Sequence, residues 1–189
     1  EIRRRLPEMP DEKRRRYVNE FQIPEYDASL ICGSKPLADY FDSVVAVYEG
    51  YPKTVANWVM GELLRLVNQE KIEVESVRIT PRQFAALLRL VDEGVISGSI
   101  AKTVFEEMFA TGEDPDKIVA RKGLKQISDA GELASIIDRV LAANSQAVES
   151  IKSGNQKAVG FLVGQVMKET HGKANPQIVN KLLKERLGL

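Results

Sequence analysis

The sequence predicts an all-α protein, and three observations support this prediction. Apolar residues recur three and four positions apart along most of the chain, which is the spacing of one helix face. No segment shows the alternation of apolar and polar residues that favours a strand. Residues that start and stop helices stand at the limits of the periodic segments. With 189 residues, 43% of them hydrophobic, the chain is long enough to bury real cores.

The clearest periodic runs lie in the first half of the chain. Their apolar residues are Leu37, Tyr40, Phe41, Val44 and Val45, then Val55, Val59, Leu63, Leu66 and Val67, then Phe84, Leu87, Leu88 and Val91. Between the last two runs, residues 72–79 give the weakest helical pattern. They predict an extended link, which could not form a sheet by itself.

Local signals predict where the helices begin and end. Thr80 and Gln83 form a capping box, and a proline occupies the first helical position. Asp114 and Asn175 each precede a proline, which pairs a capping side chain with a fixed φ. A glycine follows each of five periodic runs, where it can adopt the left-handed conformation that closes a helix. These glycines are Gly94, Gly112, Gly123, Gly154 and Gly172. The signals predict about ten short helices.

Charge divides the chain into two parts. Residues 1–124 hold 18 Lys and Arg against 21 Asp and Glu, whereas residues 125–189 hold 9 against 6. From Lys157 onward there are six basic residues and two acidic ones. Asp129, followed three residues later by Glu132, is the signature of a new helix start. We therefore predict a helical domain over residues 1–124, followed by a smaller tail domain of three to four helices over residues 125–189.

The composition excludes several classes of protein. The 27 basic residues balance the 27 acidic ones, so no net field draws the chain toward nucleic acid or membrane, and any such binding is local. A single cysteine, Cys32, cannot form an intramolecular disulfide and indicates a reducing compartment. No apolar run approaches the roughly 18–20 residues of a membrane span. We expect a cytoplasmic protein without a membrane partner. Because the sequence lacks an initiator Met and a signal sequence, we also expect a C-terminal fragment of a longer chain.

No constellation of residues predicts catalysis. An active site would show a nucleophile with its base, a metal cluster or a phosphate-binding loop, and none of these appears. His171, the only histidine, stands at a predicted helix end, where histidine more often meets the last carbonyls than acts as a base. Cys32 lies in an apolar run and is expected to be a small core residue. We therefore predict no catalytic residue, no metal site and no cofactor in this chain.

Two other features have ordinary interpretations. Trp58 is expected to anchor the core, as most tryptophans do. Acidic residues interrupt the basic blocks Arg3–Arg5 and Lys13–Arg16. A charged helix surface therefore explains these blocks as well as a contact with RNA or a partner does.

The basic stretch that begins at Lys157 is the main functional candidate. At about 100° per residue, Lys157, Gly160, Gly164 and Lys168 fall on one helix face, with bare backbone between two ammonium groups. One interpretation is a neighbouring helix packed on the glycines, since glycine inside a helix costs about 1 kcal/mol relative to Ala and usually has a packing reason. The other is a sugar-phosphate backbone along the glycines, with the lysines on its phosphates.

The residues after this helix extend the candidate surface. Lys173 and Asn175 stand at a helix N-terminus, where free N–H groups would make an anion site. In the last helix, Gln177, Lys181 and Lys184 share a face that the apolar residues leave to solvent or phosphate. No aromatic residue interleaves these lysines, which favours shape recognition of a folded RNA over stacking of a single strand. The predicted RNA-binding residues are Lys157, Gly160, Gly164, Lys168, Lys173, Asn175, Lys181 and Lys184.

Five stretches of the chain have the pattern of a known family. They are "LPEMPDEKRRRYVNEFQIPEYDASLI", "KTVANWVMGELL", "GVISGSIAKTVFEEM", "GLKQISD" and "GFLVGQVMKETHGKANPQIVNKLLKERL". They resemble the GatB family, the B subunits of aspartyl/glutamyl-tRNA amidotransferases, over essentially the whole chain. The related YqeY proteins are similar mainly to the later half. Because "IPEYD", Ile23–Asp27, resembles GatB alone, the GatB family is favoured.

The resemblance implies that the tail domain engages the body of tRNA(Gln), tRNA(Asn) or both, and that DNA is not a partner. The parent enzyme would use ATP and ammonia from glutamine to convert misacylated Glu-tRNA(Gln) or Asp-tRNA(Asn). Its ATP and Mg²⁺ would bind in a cradle domain absent from this chain, and its protein partners would be the A and C subunits. Ser99 stands where the family pattern has a lysine, which removes a basic contact there. Two alternatives stay open: a structural helical module that docks on protein partners, and a stand-alone adaptor similar to YqeY proteins.

Overall fold

The computed structural model describes residues 8–127, 130–155 and 157–189. Within these residues the chain forms twelve α-helices, one π-helical turn and one 3-10 turn, and it has no strand. One isolated parallel bridge joins Ile127 to Ala174. The all-α prediction is therefore confirmed. In the described part of the chain, no helix has both the length and the apolar character needed to cross a membrane.

The first eight α-helices and the two short turns precede residue 123. They are α1 (Pro10–Asn19), α2 (Glu25–Cys32), α3 (Lys35–Val47), α4 (Pro52–Trp58), the π turn (Val59–Leu63), α5 (Leu64–Glu70), the 3-10 turn (Val74–Ser76), α6 (Pro81–Asp92), α7 (Gly98–Thr111) and α8 (Pro115–Lys122). The last four are α9 (Ala130–Ala143), α10 (Ser145–Lys152), α11 (Ala158–Glu169) and α12 (Pro176–Leu187). Because α4, the π turn and α5 follow one another without a break, the number of helices is close to that predicted.

Hydrogen bonds and backbone angles confirm the main helix limits. Thr80 Oγ1 accepts from the Gln83 N–H at 3.3 Å, and Gln83 Oε1 accepts from the Thr80 N–H at 2.9 Å, which completes the capping box of α6. Asn175 Oδ1 accepts from the N–H groups of Gln177 and Ile178 at 3.0 and 3.4 Å and so caps α12. All five predicted stop glycines have positive φ, between 58° and 105°.

Contacts within the chain define two compact units, and each is described by itself. The first consists of residues 1–89 and 104–118, and the second of residues 90–103 and 119–189. Residues 90–103 therefore group with the later part of the chain, although they precede the predicted boundary between residues 124 and 125. The division into domains that fold independently stays a prediction. Its capping residue Asp129 lies outside the described residues.

Aromatic side chains form the centre of the first unit. Tyr17, Phe41, Phe84 and Phe105 are all fully buried. Tyr17 meets Phe41 edge-on with ring centroids 4.8 Å apart, and Phe84 meets Phe105 in the same way at 5.1 Å. Trp58 is half-buried and packs edge-on against Phe105 at 5.7 Å, which supports its interpretation as a core residue.

Carboxylates of the first unit neutralise part of the basic block Lys13–Arg16. Arg16 donates hydrogen bonds to the two carboxylate oxygens of Glu8 at 2.9 and 2.7 Å and to Asp42 at 3.3 Å. The hydrogen bond from Arg16 holds the pKa of Glu8 below its usual value. These pairs favour a charged protein surface as the explanation of this block. The other block, Arg3–Arg5, lies outside the described residues.

The second unit has an aliphatic core formed by α9 to α12 and the loop before α12. Its buried residues are Leu133, Ile136, Ile137, Val140, Ile151, Val159, Leu162, Val166, Ala174, Val179 and Leu183. Residues 90–103 join this unit through the backbone, because the Gln126 N–H donates to Val95 O at 2.6 Å. The Ser97 hydroxyl also donates to Gly172 O at 3.2 Å.

Candidate nucleic-acid interface

One face of α11 is open to solvent. The opposite face of α11 is apolar and buried in the core, and it consists of Val159, Leu162 and Val166, which recur at three and four positions. The open face consists of Lys157, Gly160, Gly164 and Lys168, and all four are exposed. We call these four residues the lysine–glycine face. The prediction that they share one face is confirmed, and the face extends about 16 Å along the helix at 1.5 Å per residue.

Nothing in the described chain packs on the two glycines of this face. A Cβ atom added at Gly160 or Gly164 would meet no heavy atom within 4 Å beyond the local helix backbone. Gly172 differs, because a Cβ there would lie 3.8 Å from Ser99 Oγ. A neighbouring helix of this chain therefore does not explain Gly160 and Gly164. What remains is bare helix backbone that an outside molecule can approach closely.

Phe161 lies on the same side of α11, and the sequence analysis missed it. Its side chain is 50% exposed. It stands four residues after Lys157 and three before Gly164, which places it among these residues on the helix surface. The expectation that no aromatic residue interleaves the lysines is therefore wrong. The signal was present in the sequence, since the same helical spacing that grouped the lysines and glycines also includes Phe161.

The loop between α11 and α12 does not offer the free N–H groups that were expected. All four N–H groups of residues 172–175 donate to acceptors of the same chain. In the first turn of α12, the Asn175 side chain takes the N–H groups of Gln177 and Ile178, and Pro176 has none. An anion site built on these N–H groups is therefore ruled out. Asn175 acts as a helix cap here.

Residues 97–99 lie close to this loop within the second unit. The Ser97 and Ser99 hydroxyl oxygens are 3.1 Å apart, and Ser97 also donates to the carbonyl of Gly172. Ser99 is exposed. Position 99, where the resemblance led us to expect a lysine, thus carries an uncharged hydroxyl. The loop beside it contains one basic residue, the half-buried Lys173.

The exposed side of α12 adds two more lysines. Gln177, Lys181 and Lys184 are exposed, while Val179 is buried and Leu182 is half-buried. The predicted division of this helix into a polar and an apolar face is confirmed.

Most of the candidate lysines keep an uncompensated charge. Among the described residues, only Lys181 of the five has a carboxylate within 4.0 Å, namely the exposed Glu185. Two carboxylates of the second unit pair instead with arginines. These pairs are Asp138 with Arg186 and Glu169 with Arg139. The second unit therefore presents lysine ammonium groups that an external anion can neutralise.

Other residues that could have carried chemistry show no sign of it. Burial raises the pKa of the Cys32 thiol, which favours the unreactive protonated form. His171 is exposed, has a φ of 51°, and donates its backbone N–H to Lys168 O at the end of α11. Within residues 8–127, 130–155 and 157–189, no group of three or more His, Cys, Asp or Glu residues is arranged to hold a metal ion.

The fold and this surface define a class of protein, namely an all-α module whose last helices present exposed lysines beside bare backbone. Residues 39–187 match the family model GatB_Yqey, described as the GatB domain. The chain therefore belongs to the GatB family.

Close relatives of the chain have one and the same name, the B subunit of aspartyl/glutamyl-tRNA(Asn/Gln) amidotransferase. The chain is 56% identical over 187 residues to the protein of that name from Thermoanaerobacter sp. (strain X514), and the match covers 99% of this chain and 39% of the relative. The corresponding proteins of Moorella thermoacetica and Persephonella marina are 55% and 50% identical, over 98% and 99% of this chain. The chain spans 39% and 40% of their lengths. The match thus covers nearly all of this chain but about two fifths of each relative.

Proposed function

We propose that this chain is the tRNA-binding region of the B component of an aspartyl/glutamyl-tRNA amidotransferase. The observation that carries the proposal is the lysine–glycine face, on which two unpaired lysines flank backbone that nothing in the described chain covers. The names of the relatives indicate that the ligand is a tRNA, because they refer to tRNA(Asn) and tRNA(Gln). The surface thus supports an anionic ligand, and the names of the relatives indicate which anionic ligand it is.

The physical role of the lysines is to position the RNA. Phosphate contacts from Lys side chains fix the register and orientation of a nucleic acid but carry no sequence information. A folded RNA presents a ridge of phosphates, and a helix without side chains at Gly160 and Gly164 lets that ridge come close to the backbone. Lys181, Lys184 and Lys173 enlarge the basic surface, and Asn175 holds the start of α12 in place beside them.

The chemical steps belong, in this proposal, to the part of the relatives that the chain does not span. The parent protein, with its A and C subunits, would convert Glu-tRNA(Gln) or Asp-tRNA(Asn) to the amidated product with ATP and glutamine. ATP and its Mg²⁺ are assigned to that same part of the relatives rather than to this chain. Binding of tRNA is the contribution assigned to it here.

The test is a titration of the 189-residue chain with transcribed tRNA over a series of salt concentrations. In the triple variant Lys168→Ala, Lys173→Ala and Lys181→Ala, binding should weaken for matched and unmatched tRNAs alike, because phosphate contacts do not read sequence. Each lost contact lowers the slope of log K against log salt by about 0.9 for a duplex-like site, so the slope should fall by roughly 2–3.

A matched control removes the same charge from the first unit. Lys35, Lys53 and Lys117 are exposed lysines outside the candidate surface, and their triple Ala variant should bind tRNA as the parent does. If both triple variants bind with the affinity and slope of the parent, the lysines of the second unit are only a solvated surface. The structural module that docks on protein partners, or the stand-alone adaptor, would then be the better assignment.

A further inference from the structure

We propose that Phe161 stacks against an unpaired base of the bound RNA, between the phosphates that Lys157 and Lys168 hold. This inference rests on the proposed function and adds a base-recognising contact to a surface that otherwise meets only the RNA backbone. It identifies the part of the RNA that reaches α11 as a loop or another unpaired segment, because bases inside a duplex are already stacked on their neighbours.

The position of Phe161 on the helix is the first argument. The other large apolar residues of the same helix turn inward, and Leu162 and Val166 are buried. Phe161 is 50% exposed and lies between the two lysines. At 1.5 Å per residue, it is about 6 Å along the axis from Lys157 and about 10 Å from Lys168. An aromatic ring between basic residues on one surface is the arrangement by which proteins bind unpaired nucleotides.

The neighbours of Phe161 are the second argument. On a helix, a long side chain leans toward the preceding turn, so the side of the ring toward the following turn is covered by the residues at i+3 and i+4. For Phe161 the i+3 residue is Gly164, which has no side chain and has open space around it within the described chain. The i+4 residue, Gln165, is half-buried. A flat base can therefore approach the ring from the side of Gly164, where no side chain stands.

A second exposed aromatic residue shows what the arrangement requires. Tyr26 in the first unit is 72% exposed, more than Phe161. Its sequence neighbours are Glu25 and Asp27, whose carboxylates repel phosphates. Exposure of an aromatic ring is thus not enough, and the lysines and glycines around Phe161 distinguish it. Tyr26 also provides a matched control for the experiment.

The test compares two RNAs with the 189-residue chain. One is transcribed tRNA(Gln), which has unpaired loops, and the other is a blunt-ended RNA duplex with a similar number of phosphates. Phe161→Leu should weaken binding to tRNA by about 5- to 150-fold, which is the range found when stacking aromatics are removed. Binding to the duplex should stay within about twofold of the parent, and the salt slope should not change because no charge is lost.

Three further variants make the result specific to the ring. Phe161→Tyr retains the aromatic face and should restore binding of tRNA. Tyr26→Leu removes an exposed ring elsewhere and should have no effect. Phe161→Trp adds a fluorophore, and its emission should be quenched by tRNA but not by the duplex, with the parent chain giving the background from Trp58. Circular dichroism of each variant checks that α11 is still folded.

The outcomes separate the two proposals. If the lysine triple variant loses binding but Phe161→Leu binds tRNA as the parent does, the stacking proposal is wrong and the proposed function stands. Equal losses on tRNA and duplex would also refute stacking, since the ring would then support the surface without meeting a base. If the parent chain binds neither RNA, both proposals are wrong, and the exposed ring is better assigned to a protein contact.

Discussion

Gly164→Ala is the substitution that most sharply separates helix stability from RNA binding. Gly164 lies inside α11, it is exposed, and an added Cβ would meet no heavy atom within 4 Å beyond the local helix backbone. Alanine should therefore fit without strain. Because glycine in a helix interior is less favourable than alanine by about 0.8–1.0 kcal/mol, the variant should be more stable by about that amount.

The same methyl group should weaken RNA binding if a phosphate ridge lies against the bare backbone. Adding a methylene to a closely packed contact typically costs about 1–3 kcal/mol, which corresponds to a loss of affinity of about 5- to 150-fold. The salt slope should not change, since the lysines are untouched. Stability and affinity should thus move in opposite directions for one added carbon atom.

The assay is thermal unfolding of the chain together with tRNA titration at two salt concentrations. A gain of about 1 kcal/mol should raise the melting temperature by about 2–4 °C for a protein of this size. Gly61→Ala is the control, because Gly61 is also exposed and has open space around it, but it lies in the π turn of the first unit. It should stabilise the chain without changing its affinity for tRNA.

Two results would refute this reasoning. If Gly164→Ala lowers the melting temperature, another part of the protein packs on the glycine. If Gly164→Ala stabilises the chain and leaves tRNA affinity unchanged, the RNA does not approach the backbone of α11. Gly164→Leu should then also bind normally, and the lysines alone would carry any phosphate contacts.

Two other predictions concern folding. Residues 125–189 prepared alone should be helical and melt cooperatively, because all eleven buried residues of their core lie between Leu133 and Leu183. They should be less stable than in the whole chain by about 1–3 kcal/mol, because they lose two hydrogen bonds, from the Gln126 N–H to Val95 O and from Ser97 to Gly172 O. A non-cooperative melt would contradict the predicted domain. Glu8→Gln should destabilise the chain at neutral pH by less than about 1 kcal/mol, because Arg16 lowers the pKa of a partly exposed Glu8. Because the pKa of Glu8 is lower in the folded state, its carboxylate stabilises the fold at pH values above its usual pKa of 4.5. This stabilisation is lost as the pH falls through the folded-state pKa. The free energies of unfolding of the parent chain and of Glu8→Gln, measured with urea, should therefore converge in acid.

Features that depend on a few neighbouring residues were determined by the sequence alone. The capping box of Thr80 and Gln83, the cap at Asn175 and the positive φ of the stop glycines follow from hydrogen bonds and backbone preferences within one helix turn. The grouping of Lys157 and Lys168 on one face follows from the helical period. The family could also be inferred, because its motifs extend over the whole chain.

The tertiary structure decided everything that depends on residues distant in sequence. Whether Gly160 and Gly164 are covered is a question about neighbours, and only the packed structure shows that the space around them is open. The expected anion site before α12 loses one N–H group to a distant residue, because the Asn175 N–H donates to Ile127 O at 3.2 Å, while acceptors a few residues away take the others. Residues 90–103 group with the second unit through such contacts too. A helical period tells which residues share a face, but the partners of that face are set by long-range packing, which no local pattern records.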